Sequence, residues 1–307
     1  MEKKAHSDLM GAIYKGRFIY TGEIEPLKTT DPTSVINVAK AHKGYVVACN
    51  VTDNPKSCGY MSSLVASYLI QKEVGMEAVY QITVRDRNRL ALISDLLGAG
   101  ALGIRNILVL SGDHTTLGDD PGAMPVFDLD SAQLVYMARK MVDDGVDLAG
   151  NKIEKPPKFH VGIAGNPNAD PLEPELLKIK RKVDLGAEFL QTQVVFEIDP
   201  IKIFLEETTH FKIPILVGVF PCKSYGVAKF FDEHIPGVSV PTEFMEKLRK
   251  VDEITDKRAR KQKIDEVNLI FFTNFIKEIK KTTNASGIHI MAVGYERLVK
   301  PLVEKLS

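Results

Sequence analysis

Residues 177–199, LKIKRKVDLGAEFLQTQVVFEID, contain one complete repeat of the pattern that decides the fold. A polar, helix-patterned segment (Glu173–Leu185) ends at Gly186, and a short apolar, β-branched run (Glu188–Val194) follows it. This run carries a polar side chain, Gln193, just before its end. The alternation of helix and apolar strand predicts parallel strands joined by helices.

The same alternation extends over the rest of the chain. Eight apolar runs recur, and helix-patterned segments separate them. The runs are Phe18–Ile24, Tyr45–Val51, Ala78–Val84, Arg105–Leu110, Phe159–Ala164, Glu188–Val194, Ile213–Val219 and Gly287–Val293. No linker rich in Gly, Pro or Ser divides the chain. We therefore expect an α/β fold, a single (β/α)₈ barrel of the TIM type that spans residues 1–307.

The predicted helices carry ordinary start and stop signals. Asp31-Pro32-Thr33 resembles an N-cap with proline in the first turn, and it opens the helix Ser34–His42. Further helices are predicted at Met61–Lys72, Arg87–Leu97, Leu129–Val142, Glu173–Leu185, Pro200–Phe211, Val227–Glu233 and Glu296–Leu306. The charged stretch from Thr242 to Lys281 predicts two helices with a break near Val251–Asp256.

Composition excludes several classes of function. Forty basic residues balance forty acidic ones, so no net field attracts nucleic acid or an acidic membrane. No apolar stretch is long enough to span a bilayer, and the charged segment Met1–Ser7 lacks the apolar core of a signal peptide. The three cysteines show no CxxC spacing, so we expect neither disulfides nor a metal site. We expect a cytoplasmic location.

Polar side chains gather at the ends of the predicted strands, where an α/β barrel keeps its active site. They are Glu23, Glu25, Asn50, Thr52, Gln81, Thr83, Asp113, Asn166 and Gln193. Two loops, Gly112–Asp128 and Gly165–Glu175, are longer than a barrel requires. Long loops on a rigid scaffold often carry function, although a surface excursion is the alternative.

Several of these motifs resemble the methylenetetrahydrofolate reductase family. They are GEIEP at 22–26, VTDNP at 51–55, LSGD at 110–113, the 177–199 stretch and GVFP at 218–221. The resemblance covers essentially the whole chain, and the 177–199 stretch is its most specific part. It implies a barrel that uses FAD to reduce 5,10-methylenetetrahydrofolate to 5-methyltetrahydrofolate, commonly with NADH or NADPH as electron donor.

The resemblance assigns the chemistry to two carboxyl groups. Glu23 corresponds to the family's acidic residue at the end of the first strand, and it suits a general acid that protonates the leaving nitrogen of the substrate. Such an acid needs a pKa raised toward the working pH. Glu25 points to the same side of an ideal strand and stays an alternative. Asp113 would lie beside the flavin and pterin rings, where a carboxylate stabilises a developing cation; a turn-forming role is its alternative.

The resemblance also implies binding residues. Gln193 would contact the substrate, because an amide both donates and accepts hydrogen bonds, and Gln191 is its main competitor. The residues expected to line the FAD site are Thr52, Gln81, Gly112, Asp113, Ala164, Arg181 and Lys182. Arg181 and Lys182 suit phosphate oxygens, although a solvated basic helix face is the alternative. No GxGxxG motif supports a Rossmann fold.

The chain departs from the family pattern at four places. Gln81 stands where a histidine is common, Ser111 stands where an arginine often precedes Gly-Asp, and Gly165-Asn166 replaces an aromatic residue. Tyr295, with Arg297 nearby, stands where an arginine grips the folate tail.

These departures leave the electron donor open between NADH or NADPH and an iron–sulfur partner protein. A pterin-binding barrel without redox activity, for methyl transfer or for binding alone, is the third alternative. Family members often form oligomers, and either a homo-oligomer or a hetero-oligomer fits the resemblance.

Overall fold

Hydrogen bonds join the eight predicted runs into one closed barrel of parallel strands. The computed structural model describes residues 4–306. The strands are β1 (Ile19–Ile24), β2 (Ala48–Val51), β3 (Ala78–Thr83), β4 (Asn106–Leu110), β5 (His160–Gly165), β6 (Phe189–Val194), β7 (Ile215–Val219) and β8 (Gly287–Ile290). The strands follow one another in chain order, and β8 closes the barrel against β1. The predicted fold class is confirmed.

The helices lie between the strands in the order that the sequence predicts. They are α1 (Asp8–Tyr14), α2 (Thr33–His42), α3 (Ser63–Val74), α4 (Arg89–Ala101), α5 (Ser131–Asp143), α6 (Glu173–Asp184), α7 (Ile198–Thr208), α8 (Tyr225–His234), α9 (Thr242–Asp252), α10 (Lys257–Thr282) and α11 (Val299–Leu306). The predicted break in the charged stretch is confirmed, because Asp256 caps α10 with its side chain. Asp31 accepts hydrogen bonds from Thr33 at the start of α2, but the N-cap residue is Pro32, one position after the predicted Asp31.

Two predicted strands are too long. The run from Tyr45 begins as a turn rather than as strand, because the N–H groups of Tyr45 and Val46 donate to His42 O at the end of α2. The run ending at Val293 stops early, because a turn from Ala292 to Tyr295 replaces the strand hydrogen bonds.

No pattern in the sequence predicts α1, which contributes to the core at the amino end of the barrel. Leu9, Met10 and Ala12 are buried in a cluster that also contains barrel residues such as Ala48 and Phe189. Glu77 accepts hydrogen bonds from the first N–H groups of this helix. The charged segment Met1–Ser7 precedes α1, and its first three residues lie outside the described part of the chain.

A second and larger cluster of apolar side chains packs the outer face of the strands against the helices. This layer holds the strand ends in a fixed arrangement. None of the helices in residues 4–306 is long and apolar enough to cross a membrane.

Strand register places specific side chains beside one another at the carboxyl end. Glu23 on β1 pairs with Asn50 on β2, and Thr21 pairs with His289 on β8. Neighbouring residues in parallel register project from the sheet in the same direction. The closure of β8 on β1 therefore brings the last strand of the chain to the first acidic residue of the predicted site.

Candidate active site

The carboxyl ends of the strands open into a cavity of about 720 Å³. Most of the residues that the sequence predicts for the site line this cavity: Glu23, Gln81, Gly112, Asp113, Ala164, Arg181, Lys182 and Gln193. Thr52 follows β2 and is buried, and its Oγ1 has no hydrogen-bond partner among the described residues. Both long loops contribute to the wall, through Gly112 and Asp113 and through Gly165 and Asn166.

Glu23 shares the barrel mouth with a buried histidine. His289 Nε2 lies 3.4 Å from Glu23 Oε2, and its Nδ1 lies 3.0 Å from Thr21 Oγ1. The Glu23 side chain is 13% exposed and that of His289 is 4% exposed. His289 also lies in the cavity wall.

A pair of buried amides crosses the barrel interior below this site. Asn50 Nδ2 donates to Gln191 Oε1 over 2.6 Å, and Gln191 Nε2 donates to Asn50 Oδ1 over 3.1 Å. Gln191 Nε2 also lies 3.4 Å from Thr21 Oγ1. The two amides thus satisfy each other where few other polar partners are available.

Gln191 and Gln193 have different surroundings. The register between β6 and β7 shifts between Gln191 and Val194. Both side chains line the cavity, but Gln191 is buried whereas Gln193 is exposed. Both residues line the cavity, so Gln191 stays the alternative to Gln193 as the substrate contact, and the irregularity of β6 accompanies their different burial.

Asp113 is anchored to a strained loop that follows β2. Its Oδ2 accepts a hydrogen bond of 2.8 Å from the backbone N–H of Lys56. Asn54, Lys56 and Ser57 all have positive φ angles, between 46° and 56°. Non-glycine residues rarely adopt this region, and strained backbone clusters at functional sites. The neighbouring His114 instead bonds with Thr116 in its own turn.

Arg85, which the sequence reasoning missed, ties the loops around the cavity together. Its guanidinium is 1% exposed and forms a bidentate ion pair with Asp86. It also donates to the backbone oxygens of Asp113 and Asn54. The sequence feature that marks this position is the charged tripeptide Arg85-Asp86-Arg87, directly after the third apolar run. Such a tripeptide usually indicates a solvated turn, so its burial was not predictable from pattern.

Asp53 is a second residue that the sequence reasoning missed. Its carboxylate accepts hydrogen bonds from both terminal nitrogens of Arg87, at 2.7 and 3.1 Å. It also accepts from Thr83 N, Thr83 Oγ1 and Ser63 Oγ. The Asp53 side chain is 2% exposed. This ion pair fixes the ends of β2 and β3 relative to each other.

One side of the cavity is basic. Burial lowers the pKa of Lys182, and the carboxylate of Glu175 acts against that lowering. No carboxylate in residues 4–306 lies within ion-pair distance of Lys182. Arg181, by contrast, pairs with Asp130 over 3.1 Å and is mostly exposed. Of these two cations, Lys182 is therefore the one that is available to pair with an anionic group of a ligand.

At Gly112, in the cavity wall, the absence of a side chain lets the backbone lie close to Arg85 and Thr83. Its φ angle is +87°, and an added Cβ would lie 3.1 Å from Arg85 and 3.3 Å from Thr83. A side chain at this position would be strained and would crowd the guanidinium. Glycine thus keeps the cavity wall flat beside Asp113.

Tyr295 and Arg297 are both engaged with Asp265. The Tyr295 hydroxyl donates to Asp265 over 2.6 Å, and Arg297 forms a bidentate pair with the same carboxylate. The Arg297 guanidinium also stacks on the Tyr295 ring, 4.5 Å from its centre. These two side chains tie the end of β8 to α10.

Comparison with known proteins gives a consistent picture. A family model described as "Methylenetetrahydrofolate reductase" matches residues 9–307. Methylenetetrahydrofolate reductase 1 of Schizosaccharomyces pombe is 25% identical over 252 residues, which cover 78% of this chain and 37% of that protein. The 5,10-methylenetetrahydrofolate reductase of Salmonella typhimurium is 26% identical over 175 residues, which cover 56% of this chain and 53% of that protein. The chain spans about a third to a half of the length of these relatives.

Solved structures share the barrel at much lower identity. DmoA from Hyphomicrobium sulfonivorans has a TM-score of 0.57 at 9% identity, covering 94% of this chain and 86% of its own. The long-chain alkane monooxygenase LadA has a TM-score of 0.56 at 10% identity, covering 94% and 91%. These likenesses concern the fold alone. The family match extends instead through the strand ends that line the cavity, and this chain belongs to the methylenetetrahydrofolate reductase family.

Proposed function

We propose that this chain is a flavin-dependent oxidoreductase that reduces 5,10-methylenetetrahydrofolate to 5-methyltetrahydrofolate. Family membership supports the reaction, and the cavity at the strand ends supports the place. The observation that carries the proposal is Glu23, a mostly buried carboxyl group that lies in the cavity wall against His289. This position gives the carboxyl group access to a ligand in the cavity, which a general acid needs.

The cavity wall suits FAD. Lys182 offers a cation for its phosphates, and Gly112 offers a flat backbone surface. The buried Oγ1 of Thr52 has unused hydrogen-bonding capacity at the adjoining strand end. We propose that these residues, with Gln81, Asp113, Ala164 and Arg181, hold FAD. When bound, FAD supplies the hydride that reduces the substrate.

The side chains of this protein perform the proton chemistry. Glu23 gives its proton to the substrate nitrogen that leaves the methylene carbon, and the substrate then carries a positively charged iminium. The Asp113 carboxylate, held at the cavity by the backbone N–H of Lys56, stabilises that positive charge. Gln193 donates to and accepts from the edge of the pterin ring, which orients the carbon toward the hydride.

An absorption experiment tests the proposal. Purified protein is reduced anaerobically with NADH or NADPH, and methylenetetrahydrofolate is then added. We expect a yellow protein that NADH or NADPH bleaches and that the folate recolours. A yellow protein that ignores both nicotinamides, but is recoloured by folate after chemical reduction, would assign electron donation to a protein partner such as an iron–sulfur protein. A colourless protein that binds folate would overturn the proposal in favour of a binding or methyl-transfer barrel.

A further inference from the structure

We propose that Gln191 is a positioning residue: acting through Thr21, it keeps His289 neutral and so leaves the proton of Glu23 available for the substrate. The inference rests on the proposed function, in which Glu23 is the general acid. It extends that function, because it assigns a role to a buried amide at the edge of the cavity whose hydrogen bonds go to Asn50 and Thr21.

The groups concerned form one continuous chain inside the barrel. Gln191 Nε2 lies 3.4 Å from Thr21 Oγ1, which lies 3.0 Å from His289 Nδ1. His289 Nε2 then lies 3.4 Å from Glu23 Oε2. Thr21, Gln191 and His289 are each at most 3% exposed. Within the described residues, Glu23 is the ionisable group within hydrogen-bond distance of His289.

The chemistry of these groups sets the direction of the hydrogen bonds. The amide nitrogen of Gln191 can only donate, so Thr21 Oγ1 accepts from it. The single hydroxyl hydrogen of Thr21 is then free to donate to His289 Nδ1. If Nδ1 carried a hydrogen instead, Thr21 would accept twice, and its own hydrogen would have no partner in a buried site. His289 Nδ1 is therefore an acceptor, and the ring hydrogen resides on Nε2.

This arrangement determines where the acidic proton resides. His289 with a hydrogen on Nε2 donates to Glu23 Oε2 and has no free lone pair facing that carboxyl group. To take the proton of Glu23, the ring would have to hold hydrogens on both nitrogens, which the Thr21 hydroxyl opposes. Without Gln191, Thr21 is free to turn its hydroxyl hydrogen away. His289 and Glu23 can then become an imidazolium and a carboxylate, and the acid is lost.

Nitrogen NMR of protein labelled with ¹⁵N-histidine tests the inference without any turnover. Spectra are taken of the FAD-loaded protein near neutral pH, and a His289→Gln variant assigns the His289 signals. We expect His289 to show a protonated Nε2 and an unprotonated Nδ1. His160 is an internal reference of opposite type, since its Nε2 accepts from His6 N and its Nδ1 faces Glu188.

Substitutions distinguish a positioning role of Gln191 from a general loss of folded structure. Gln191→Met keeps the side-chain length and removes the donor to Thr21. We expect Nδ1 of His289 to become protonated in this variant and kcat for folate reduction to fall about tenfold, with KM changed less than twofold. Gln193→Met is the matched control, because the same change two residues later should leave the His289 signals unmoved. Thr21→Ser keeps the hydroxyl and should behave like the wild type, whereas Thr21→Val should behave like Gln191→Met.

The outcomes distinguish this inference from the proposed function. A wild-type His289 that is protonated on Nδ1 would overturn the inference, whatever the activity of the enzyme and whether or not a variant folds. Unchanged His289 signals in Gln191→Met would also overturn it. The expected signals in a protein whose folate reduction does not need Glu23 would support the hydrogen-bond direction and contradict the assignment of the acid.

Discussion

Glu23 and Glu25 lie two residues apart, but their carboxyl groups have different surroundings. Glu23 lies in the cavity wall, beside His289. Glu25 follows the end of β1, where burial raises its pKa and the positive charge of Lys56 opposes that rise. A raised pKa by itself would favour Glu25 as an acid. Access to the cavity favours Glu23, and geometry takes precedence because an acid must reach the atom that it protonates.

Replacing Glu23 by Gln should separate the two halves of the reaction. We expect Glu23→Gln to bind FAD and accept electrons normally, but to reduce folate about 10²- to 10⁴-fold more slowly, because the amide has no proton to give. Stopped-flow absorbance measures each half separately. Glu25→Gln is the matched control and should keep most of the activity. Normal folate turnover in the Glu23 variant would show that the acid is another group.

The buried ion pair between Asp53 and Arg87 stabilises the strand ends beside the cavity. Removing one partner of such a pair leaves the other charge buried and uncompensated. We expect Asp53→Asn to lower the free energy of unfolding by about 3–5 kcal/mol, because Arg87 loses its carboxylate. Urea unfolding followed by circular dichroism measures this. Glu243→Gln, in an exposed pair with Lys247, should leave stability unchanged; equal losses in both variants would contradict the argument.

At the scale of elements, α1 and β6 shape the barrel in ways that periodicity does not show. The seven residues of α1 place Leu9 and Met10 in a core cluster with the barrel interior. The register of β6 against β7 shifts between Gln191 and Val194, and within this stretch Gln191 is buried whereas Gln193 is exposed. A short helix and a bulge leave little signal in sequence, because neither extends over enough residues to establish a period.

The contribution of α1 can be measured with one core substitution. We expect Leu9→Ala to lower the free energy of unfolding by about 2–5 kcal/mol, because Leu9 is fully buried and its loss leaves a cavity. Leu90→Ala removes the same atoms from a side chain that is 70% exposed and should change stability by no more than about 0.5 kcal/mol. Similar values for the two variants would show that α1 does not contribute to the core.

An acid-sensitive contact lies at the amino end of β6. Burial acts to raise the pKa of Glu188, but the hydrogen bond from His160 and the charge of Arg139 outweigh it, so the pKa lies below the usual value. A carboxyl group of this kind binds more protons in the unfolded state. Its stabilisation is therefore fully present above the unfolded pKa of about 4.3 and is lost as pH falls through the folded pKa.

Comparison of the wild type with Glu188→Gln tests this contribution. We expect the variant to be less stable at neutral pH and its stability to depend less on pH below about pH 4. Urea unfolding at a series of pH values supplies the measurement. Parallel curves for the two proteins would contradict the proposed contribution of Glu188. Asp147→Asn, which changes an exposed loop carboxylate, is a suitable control.

At the scale of the whole molecule, the closed barrel brings residues from all parts of the chain into one cavity. Loops after β2, β3 and β4 are joined to one another by Arg85 and by the Asp113 contact with Lys56. The ion pair between Lys28 and Asp119 connects the loop after β1 to the same group. A ligand that contacts several of these loops should therefore stabilise the molecule as a unit.

Binding of FAD should stabilise the folded protein by mass action. We expect FAD at a hundred times its Kd to raise the free energy of unfolding by about 2.7 kcal/mol, measured as a concentration-dependent rise in Tm. Lys182→Met should shift this dependence to higher FAD concentrations, because the phosphates lose a cation. Lys180→Met, on the same helix but paired with Asp184, should not. A Tm that does not respond to FAD would contradict the cofactor assignment.

The sequence by itself determined the alternation of strands and helices, the closed barrel that follows from it and the end of the strands at which polar residues gather. These properties depend on hydrophobic periods and on capping residues a few positions apart. Only the tertiary structure decided that Glu23 faces His289, 266 positions later, that Gln191 pairs with Asn50, and that Arg85 and Asp53 are buried. Barrel closure and strand register determine which distant side chains come into contact. The local sequence pattern does not encode these partners.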